Sequence, residues 1–363
     1  MGRGCITYSI SFLAGILFAG TIPLHFTFTA ILVAALFPLC IICRKNTLKF
    51  ILFSHLALFF AGIGGYSISK EKKNYPKSQL ITNITSKSEA IQLHTSSLLY
   101  KLTPNPNSHA ILGALTIGDK KKISPDLKEA YSSAGAIHIL ALSGLHVGIM
   151  YSIVQTLLYP LKLLRAMRWI TDIASILLIL LYAVISGCSP SVVRAGTMIV
   201  IYSIGRTTFR DVGKWDAIAL SALISGAISP LQVNSLGFQL SYAAVIGIAM
   251  LYPTCRQSFC QLTNTSFRQT TLLYRLAFKI WESISISVCC QIATLPILLL
   301  HFGESAQFFL ITNLVAIPLA TAILYTFTAV LLLQWIPYAN QLSIDLLNIL
   351  IEFLNTSIIY ISN

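Results

Sequence analysis

Long apolar runs recur along the chain and are separated by short polar connections. A run of about 20 apolar residues can cross the hydrocarbon core of a bilayer as a helix, and on this criterion we predict about 11 (9–13) transmembrane or re-entrant helices. The predicted spans are 6–22, 24–42, 49–68, 138–160, 170–187, 191–205, 217–233, 236–252, 282–301, 308–335 and 342–361. Pro230, Pro296 and Pro318 interrupt apolar runs and predict that some spans are broken or re-entrant.

A polar segment, residues 69–137, interrupts the series between the third and fourth predicted spans. Within it, residues 108–117 have the pattern of a short helix lying at the membrane interface. Residues 124–126 (Ser-Pro-Asp) suit the cap and first turn of another helix, and Gly135 suits its C-terminal cap. The whole pattern predicts an all-α polytopic membrane protein with one external polar segment.

Composition supports a membrane protein and excludes a soluble globular enzyme with a single anchor. The chain is 55% hydrophobic and only 10% charged, with a mean hydropathy of +0.76. Soluble domains are about one quarter charged. The apolar runs are continuous, whereas a membrane β-barrel has short alternating segments. Of the 8 cysteines, Cys255 and Cys260 share one loop without a second pair, so we expect no zinc site and mostly small buried hydrophobes.

The distribution of basic residues predicts the orientation in the membrane and suggests the kind of partner. The net charge is +13, from 25 Lys and Arg residues against 12 Asp and Glu residues. Placing the N-terminus in the cytoplasm puts basic residues in the cytoplasmic connections and none in the short external ones, as the positive-inside rule requires. The long external segment is the exception, because it is rich in lysine. A basic surface there predicts a polyanionic partner, with a solvated loop as the alternative.

The run HILALSGLHVG, residues 138–148, carries polar residues where an anchoring span would be uniformly apolar. Ser143 and His146 are three residues apart and would share one face of a helix. Gly144 would let another backbone approach closely, or would let the helix break. Polar groups at membrane depth usually face a bundle interior or a watery path. Satisfied interior histidines with a packing glycine remain the alternative, whereas a hydrolytic pair is disfavoured because no third group completes a triad.

A second motif is SPSVVR, residues 189–194. Ser189 suits a helix cap and Pro190 the first helical residue. Arg194 lies one turn deeper, and an arginine inside a membrane costs about 2.5–3.5 kcal/mol, so it needs a partner. Its fork geometry matches a phosphate. An internal salt bridge with Asp172 is the alternative.

Polar residues also begin or interrupt later apolar runs. They are Gln239, Ser241, Gln291 and Asn313. Interhelical hydrogen bonds explain each of them singly, but together they would line a pathway. Carboxylates are few and scattered, and no paired histidine–acid cluster suits a metal centre. We therefore predict no metal, no cofactor and no enzymatic activity.

The motifs HILALSGLHVG, SPSVVRA and GFQLSYAA, in this order, resemble the competence domain of ComEC-type proteins. Members of that family are inner-membrane channels that pass single-stranded DNA into the cytoplasm during natural transformation. The resemblance covers roughly residues 108–335. It implies three parts: an N-terminal three-span membrane segment (1–68), a short basic external segment (69–107) in the place of an OB-type domain, and a transmembrane channel domain (108–363). The chain also stops before any metallo-β-lactamase-like domain, so a reduced or truncated member is expected.

The resemblance further implies which residues would meet DNA. Three lysines would gather the strand outside: Lys120, Lys121 and Lys122. The residues that would line the path are His138, Ser143, Gly144, His146, Ser189, Pro190, Arg194, Gln239, Ser241, Gln291 and Asn313. The implied partners are a periplasmic DNA receptor, a cytoplasmic helicase-type ATPase and single-strand-binding proteins. A permease for another anion, or an inactive remnant of the family, stays open as an alternative.

Overall fold

The protein is almost entirely helical. The computed structural model describes residues 2–21, 26–43, 46–72, 79–100, 102–103, 105–164, 167–207, 213–263, 272–302 and 309–362. These residues form fifteen α-helices and no β-strand. The helices are α1 (Gly2–Thr21), α2 (Phe26–Ile42), α3 (Thr47–Lys72), α4 (Gln79–Leu99), α5 (Pro106–Ile117), α6 (Pro125–Ser133), α7 (Gly144–Leu157), α8 (Tyr159–Lys162), α9 (Arg168–Ile185), α10 (Pro190–Thr207), α11 (Lys214–Ile228), α12 (Leu236–Thr263), α13 (Leu272–Phe302), α14 (Phe309–Leu332) and α15 (Pro337–Ser362).

The all-α class is confirmed, but the total of about 11 spans is not. Within the described residues, five helices are long and apolar enough to cross a membrane: α3, α12, α13, α14 and α15. Shorter apolar stretches lie in α1, α2, α9 and α10. By length and composition these helices are those of a multi-pass membrane protein.

The predicted span at 138–160 is not one continuous helix. Helix α6 ends in a left-handed turn, where Gly135 has a φ of 75° and the Ala136 N–H donates to Tyr131 O (2.7 Å). Residues 134–143 are not helical, and α7 begins only at Gly144. Its 14 residues extend about 21 Å, which is less than the roughly 30 Å of a hydrocarbon core. An uncharged run thus contains a loop and a short helix.

Two local predictions in the polar segment have different outcomes. The cap at Ser124 is confirmed, because its Oγ accepts a hydrogen bond from the Leu127 N–H at 3.3 Å. The interfacial position of residues 108–117 is wrong, because every residue of that stretch is buried inside the protein. Helix α5 is apolar on nearly all sides, and such a helix belongs in a core.

The three prolines also differ. Pro230 starts a 3₁₀ helix (Pro230–Asn234) that separates α11 from α12, as a chain break requires. Pro296 and Pro318 lie inside the continuous helices α13 and α14, so of the three prolines only Pro230 marks a break. Neighbouring helices allow a membrane helix to tolerate an internal proline.

The chain forms two compact units. The first comprises Met1–Thr82 and Thr197–Tyr242. In it α1 packs closely on α3, because a Cβ on Gly15 would overlap the carbonyl oxygen of Phe59 and a Cβ on Gly62 that of Phe12. Helix α1 also packs on α11.

The second unit comprises Asn83–Gly196 and Ala243–Asn363. Its core surrounds α5, which contacts α14 and α15. The fully buried side chains of this core include Leu112, Leu115, Tyr131, Ile323, Leu347 and Ile351. All but two of the predicted site residues belong to this unit, so its core is the framework that positions them.

Candidate functional site

Three exposed lysines lie in a tight turn after α5, which we call the basic turn (residues 118–123). The turn begins at Gly118, whose φ of 75° ends the helix. The buried carboxylate of Asp119 accepts hydrogen bonds from Ser96 Oγ (2.7 Å) and from the Lys121 N–H (3.1 Å). Lys122 Nζ donates to His109 Nε2 at 3.0 Å. These hydrogen bonds constrain the backbone of the basic turn at Asp119 and Lys121 and the side chain of Lys122.

The electrostatics of the basic turn favour an anion. Burial, and then the nearby charge of Lys128, lowers the pKa of Lys120. Burial, and then the charge of Lys122, lowers the pKa of His109, which keeps its ring neutral and able to accept from Lys122. Burial is the larger cause of both shifts, and a neighbouring lysine charge adds to each. A bound anion would relieve that repulsion.

Helix α4 joins the basic turn to a second turn near residue 187. Ser88, Gln92 and Ser96 are spaced four residues apart and share one face of α4. Ser88 Oγ donates to Val184 O (2.5 Å), and Gln92 Nε2 donates to Ile117 O (2.7 Å).

The same glutamine contacts both turns. A Cβ on Gly187 would lie 3.1 Å from Gln92 Oε1, while Gln92 Nε2 is bonded to the carbonyl that precedes Gly118. The start of α10 and the lysines, about 70 residues apart in sequence, are thereby brought together around Gln92. Helix α4 is not among the elements predicted from the sequence, although polar residues at four-residue intervals are the signal of a helix with one polar face.

The start of α10 has the predicted backbone but not the predicted hydroxyl bond. Gly187 and Cys188 both have positive φ, of 73° and 50°, and this turn leads into Ser189. The carbonyl of Ser189 accepts from the Val193 N–H (3.0 Å), so Ser189 occupies the cap position before Pro190. Its hydroxyl is buried and has no hydrogen-bond partner among the described residues. The cap hydroxyl is therefore available to a ligand or water.

Arg194 is buried one turn into α10, with only 3% of its surface exposed. Its Nη2 donates to Ser191 Oγ at 3.2 Å. Asp172, the other partner considered for it, forms a salt bridge with Lys162 (Nζ–Oδ1 3.4 Å). The guanidinium thus lies beside a hydroxyl-lined helix start, which is a favourable environment for an anionic group.

The motif 138–148 does not form a continuous helix. Ser143 is the cap residue before α7, so it meets His146 through a capping interaction at the helix start and not as a second residue on a helical face. The close approach predicted at Gly144 is also absent, because a Cβ there would meet Ala195 Cβ at an ordinary 3.5 Å. The alternative expectation, a helix boundary at the glycine, is what the structure shows. The start of α7 therefore lies near Ala195 of α10.

His146 is oriented by Ser143. The backbone N–H of Ser143 donates to His146 Nδ1 (3.3 Å), and Ser143 Oγ lies 2.9 Å from the same nitrogen. An amide N–H can only donate, so Nδ1 is the acceptor and Nε2 carries the proton of the neutral ring. This nitrogen is buried and has no partner among the described residues. His146 therefore presents an uncharged hydrogen-bond donor.

His138 has the opposite tautomer. Its Nδ1 lies 3.0 Å from the carbonyl oxygen of Gly135, which can only accept, so Nδ1 carries the proton and Nε2 accepts. The side chain of Asn313 is hydrogen-bonded to this histidine, and His138 is close enough to His146 to interact electrostatically. Thr312 Oγ1 donates to Ala134 O at 2.7 Å and fixes α14 to the same loop.

Several predicted pathway residues carry buried polar atoms without hydrogen-bond partners in the described part of the chain. These atoms are His146 Nε2, Ser189 Oγ, Gln291 Oε1 and Asn313 Oδ1. Leaving a buried donor or acceptor unpaired costs about 1–3 kcal/mol. Water or a ligand that reached these atoms would recover that energy. The pattern is that of a polar interior, not of a sealed apolar core.

The remaining predicted residues lie elsewhere. Gln239 and Ser241 are half-buried in α12 and belong to the first unit. Gln291 is in α13, which packs against α14 of the second unit. Among the described residues, no group of three or more His, Cys, Asp or Glu side chains could hold a metal ion.

Comparison with known proteins gives a family. The profile of the family described as Competence protein matches residues 115–363, more than half of the chain. The chain belongs to the Competence family. Its basic turn, α10 and the 138–148 motif all lie within the matched residues.

Two curated relatives of this Competence-family chain are similar to it over part of their length. ComE operon protein 3 of Bacillus subtilis (strain 168) is 30% identical over 279 residues, which cover 76% of this chain and 33% of that protein. Uncharacterized protein YcaI of Escherichia coli (strain K12) is 25% identical over 236 residues, covering 63% of this chain and 29% of that protein. The chain thus spans about a third of the length of these relatives. No solved structure matches it.

Proposed function

We propose that this Competence-family chain takes part in DNA uptake during natural transformation, as a path for single-stranded DNA across the cytoplasmic membrane. The observation that carries the proposal is a series of neighbouring residues in the second unit. Gln92 is hydrogen-bonded to the carbonyl that precedes the basic turn and lies next to Gly187, just before α10, and Ala195 of α10 lies next to Gly144 at the start of α7. His146 follows within one turn of Gly144.

The chemistry of this series suits a strand of DNA. Affinity for DNA depends largely on basic contacts to phosphate, and the three exposed lysines supply these at one end. Arg194, beside the helix start at Pro190, suits a single phosphate held for bidentate contact. Deeper in, uncharged donors and acceptors on His146 and Asn313 offer weak, sequence-tolerant contacts. Weak contacts let a strand move on after binding.

The proposed location is the bacterial inner membrane, with the N-terminus in the cytoplasm. The basic turn and α4 then face the periplasm, where a DNA receptor would deliver the strand. A cytoplasmic helicase-type ATPase would supply the energy, and single-strand-binding proteins would receive the product. The chain itself acts as a conduit and not as an enzyme, so the purified protein is expected to show no chelator-sensitive nuclease activity.

Arg194 offers the sharpest test of this function. We expect Arg194→Ala to abolish transformation at normal membrane abundance, because the buried phosphate contact is lost. Arg194→Lys keeps the charge but loses the fork and should be partly functional. Arg256→Ala is the control, because Arg256 is an exposed arginine outside the series. Uptake of labelled DNA is the measurement.

The outcomes separate the proposed function from its alternatives. Normal uptake by the Arg194→Ala variant would refute the phosphate role. Normal transformation in a deletion strain would favour an inactive remnant of the family. A deletion strain that takes up DNA but fails to import a small phosphorylated anion would favour the permease. Family membership is what favours DNA over such an anion.

A further inference from the structure

An exposed aromatic ring lies beside the basic turn. Tyr100 directly follows α4, and the residue is 55% exposed. Its ring centroid lies 5.2 Å from that of His109, with the ring planes at 68°. His109 is buried, and its Nε2 accepts from Lys122 Nζ. The tyrosine is thus connected to the lysines through a fixed histidine.

This geometry leaves a face of the tyrosine ring open. In an edge-to-face pair, the histidine either approaches one face of the tyrosine or receives its edge. In both cases at least one face of Tyr100 makes no contact with His109. The large exposed fraction of the residue means that the open surface is accessible from solvent.

We infer that Tyr100 is a stacking platform for an unpaired nucleobase, whose neighbouring phosphates bind Lys120, Lys121 and Lys122. Single-strand sites combine a basic surface with aromatic rings, because every base has a π-face whereas the phosphates give the affinity. A paired base inside a duplex has both faces covered and cannot stack in this way. The inference rests on the proposed function and adds to it a selectivity for single strands at the entrance.

A membrane anchor is the competing role for this tyrosine. Tyrosine and lysine are both common at the boundary of a bilayer, where the ring lies among lipid headgroups. That role does not depend on the bases of a bound strand. A strand without bases therefore distinguishes the two roles.

The experiment measures binding by the purified full chain in detergent micelles. The probes are a fluorescent thymidine oligonucleotide, an abasic oligonucleotide of the same length and a duplex of the same length. We expect Tyr100→Ala to weaken binding of the thymidine strand roughly fivefold or more, the loss of one stacked base. Binding of the abasic strand should change less than about twofold, because it depends on phosphate alone.

Two further variants guard against misfolding. Tyr100→Trp has a larger ring and should bind the thymidine strand at least as tightly as the unchanged protein. Tyr159→Ala is the matched control, because Tyr159 is a similarly exposed tyrosine (61%) that is not part of the basic turn or its neighbours Tyr100 and His109. Its affinity for the thymidine strand should be unchanged.

Three results would overturn the inference. The first is equal loss of thymidine and abasic binding in Tyr100→Ala. The second is no loss of either, which would assign the ring to the membrane boundary. The third is an unchanged protein that does not prefer the thymidine strand to the duplex. None of these depends on transport, so the proposed function is judged separately by DNA uptake in the Arg194 variants.

Discussion

His146 is the residue at which structural and functional roles can be separated most cleanly. Its Nδ1 accepts the Ser143 N–H, which is one half of a capping box at the start of α7, while its Nε2–H is buried without a partner among the described residues. Glutamine and glutamate at this helix position can both complete a capping box. Of these two, only glutamine also supplies an uncharged hydrogen-bond donor. Leucine supplies neither the capping acceptor nor the donor.

The three substitutions therefore have different expected magnitudes. His146→Leu leaves the half-buried Ser143 N–H without its acceptor, and losing this helix cap should cost about 0.5–2 kcal/mol in stability. His146→Gln and His146→Glu should each cost less than this, because the box is kept. The three variants should rank differently in DNA transport. His146→Gln should retain much of the activity and His146→Leu should lose most of it. His146→Glu should be inactive, because a carboxylate repels phosphate.

Two assays on the same variants give the test. Thermal unfolding in detergent reports stability, and transformation frequency, normalised to protein in the membrane, reports transport. A leucine variant as stable as the unchanged protein would contradict the capping role. A glutamate variant that transforms normally would contradict the donor role, whatever its stability.

Three further outcomes are expected. Gly144→Ala should be tolerated, because its Cβ would meet Ala195 Cβ at 3.5 Å, whereas Gly247→Ala should destabilise α12 against α13, because its Cβ would overlap Ala293; thermal unfolding compares them. Stability should fall as pH drops below the usual histidine pKa of 6.5, because folding lowers the pKa of His109, and His109→Gln should remove this component of the pH profile. In a cysteine-free background, an impermeant thiol reagent applied outside should label Ser97→Cys but not Gln261→Cys, both being exposed positions; the reverse pattern would overturn the orientation.

Features decided by neighbouring residues were predictable from the sequence. The Ser124 cap, the left-handed Gly135 and the helix start at Pro190 depend on hydrogen bonds that close within a few residues. The burial of Arg194 was also predictable, because a lone arginine in an apolar run needs an interior environment.

Features decided by distant contacts were not predictable. The polar face of α4 bonds to carbonyls 25 and 96 residues away, so its four-residue polar spacing can indicate a helix but not which groups the helix contacts. Helix α5 is apolar enough for either an interface or a core, and only its packing against α14 and α15 decides. The loop at 134–143 could not be predicted, because an apolar composition does not indicate where a helix ends.

The central claim is that a DNA strand passes the start of α7 on its way into the cell. A photoreactive amino acid at position 143 tests it directly, with position 353 as the control, because Phe353 is an exposed residue of α15. Cells taking up labelled DNA are irradiated during transport. We expect a protein–DNA adduct at position 143 that disappears when no transforming DNA is supplied, and none at position 353. DNA entering normally with no adduct at position 143, or with equal adducts at both positions, would contradict the account.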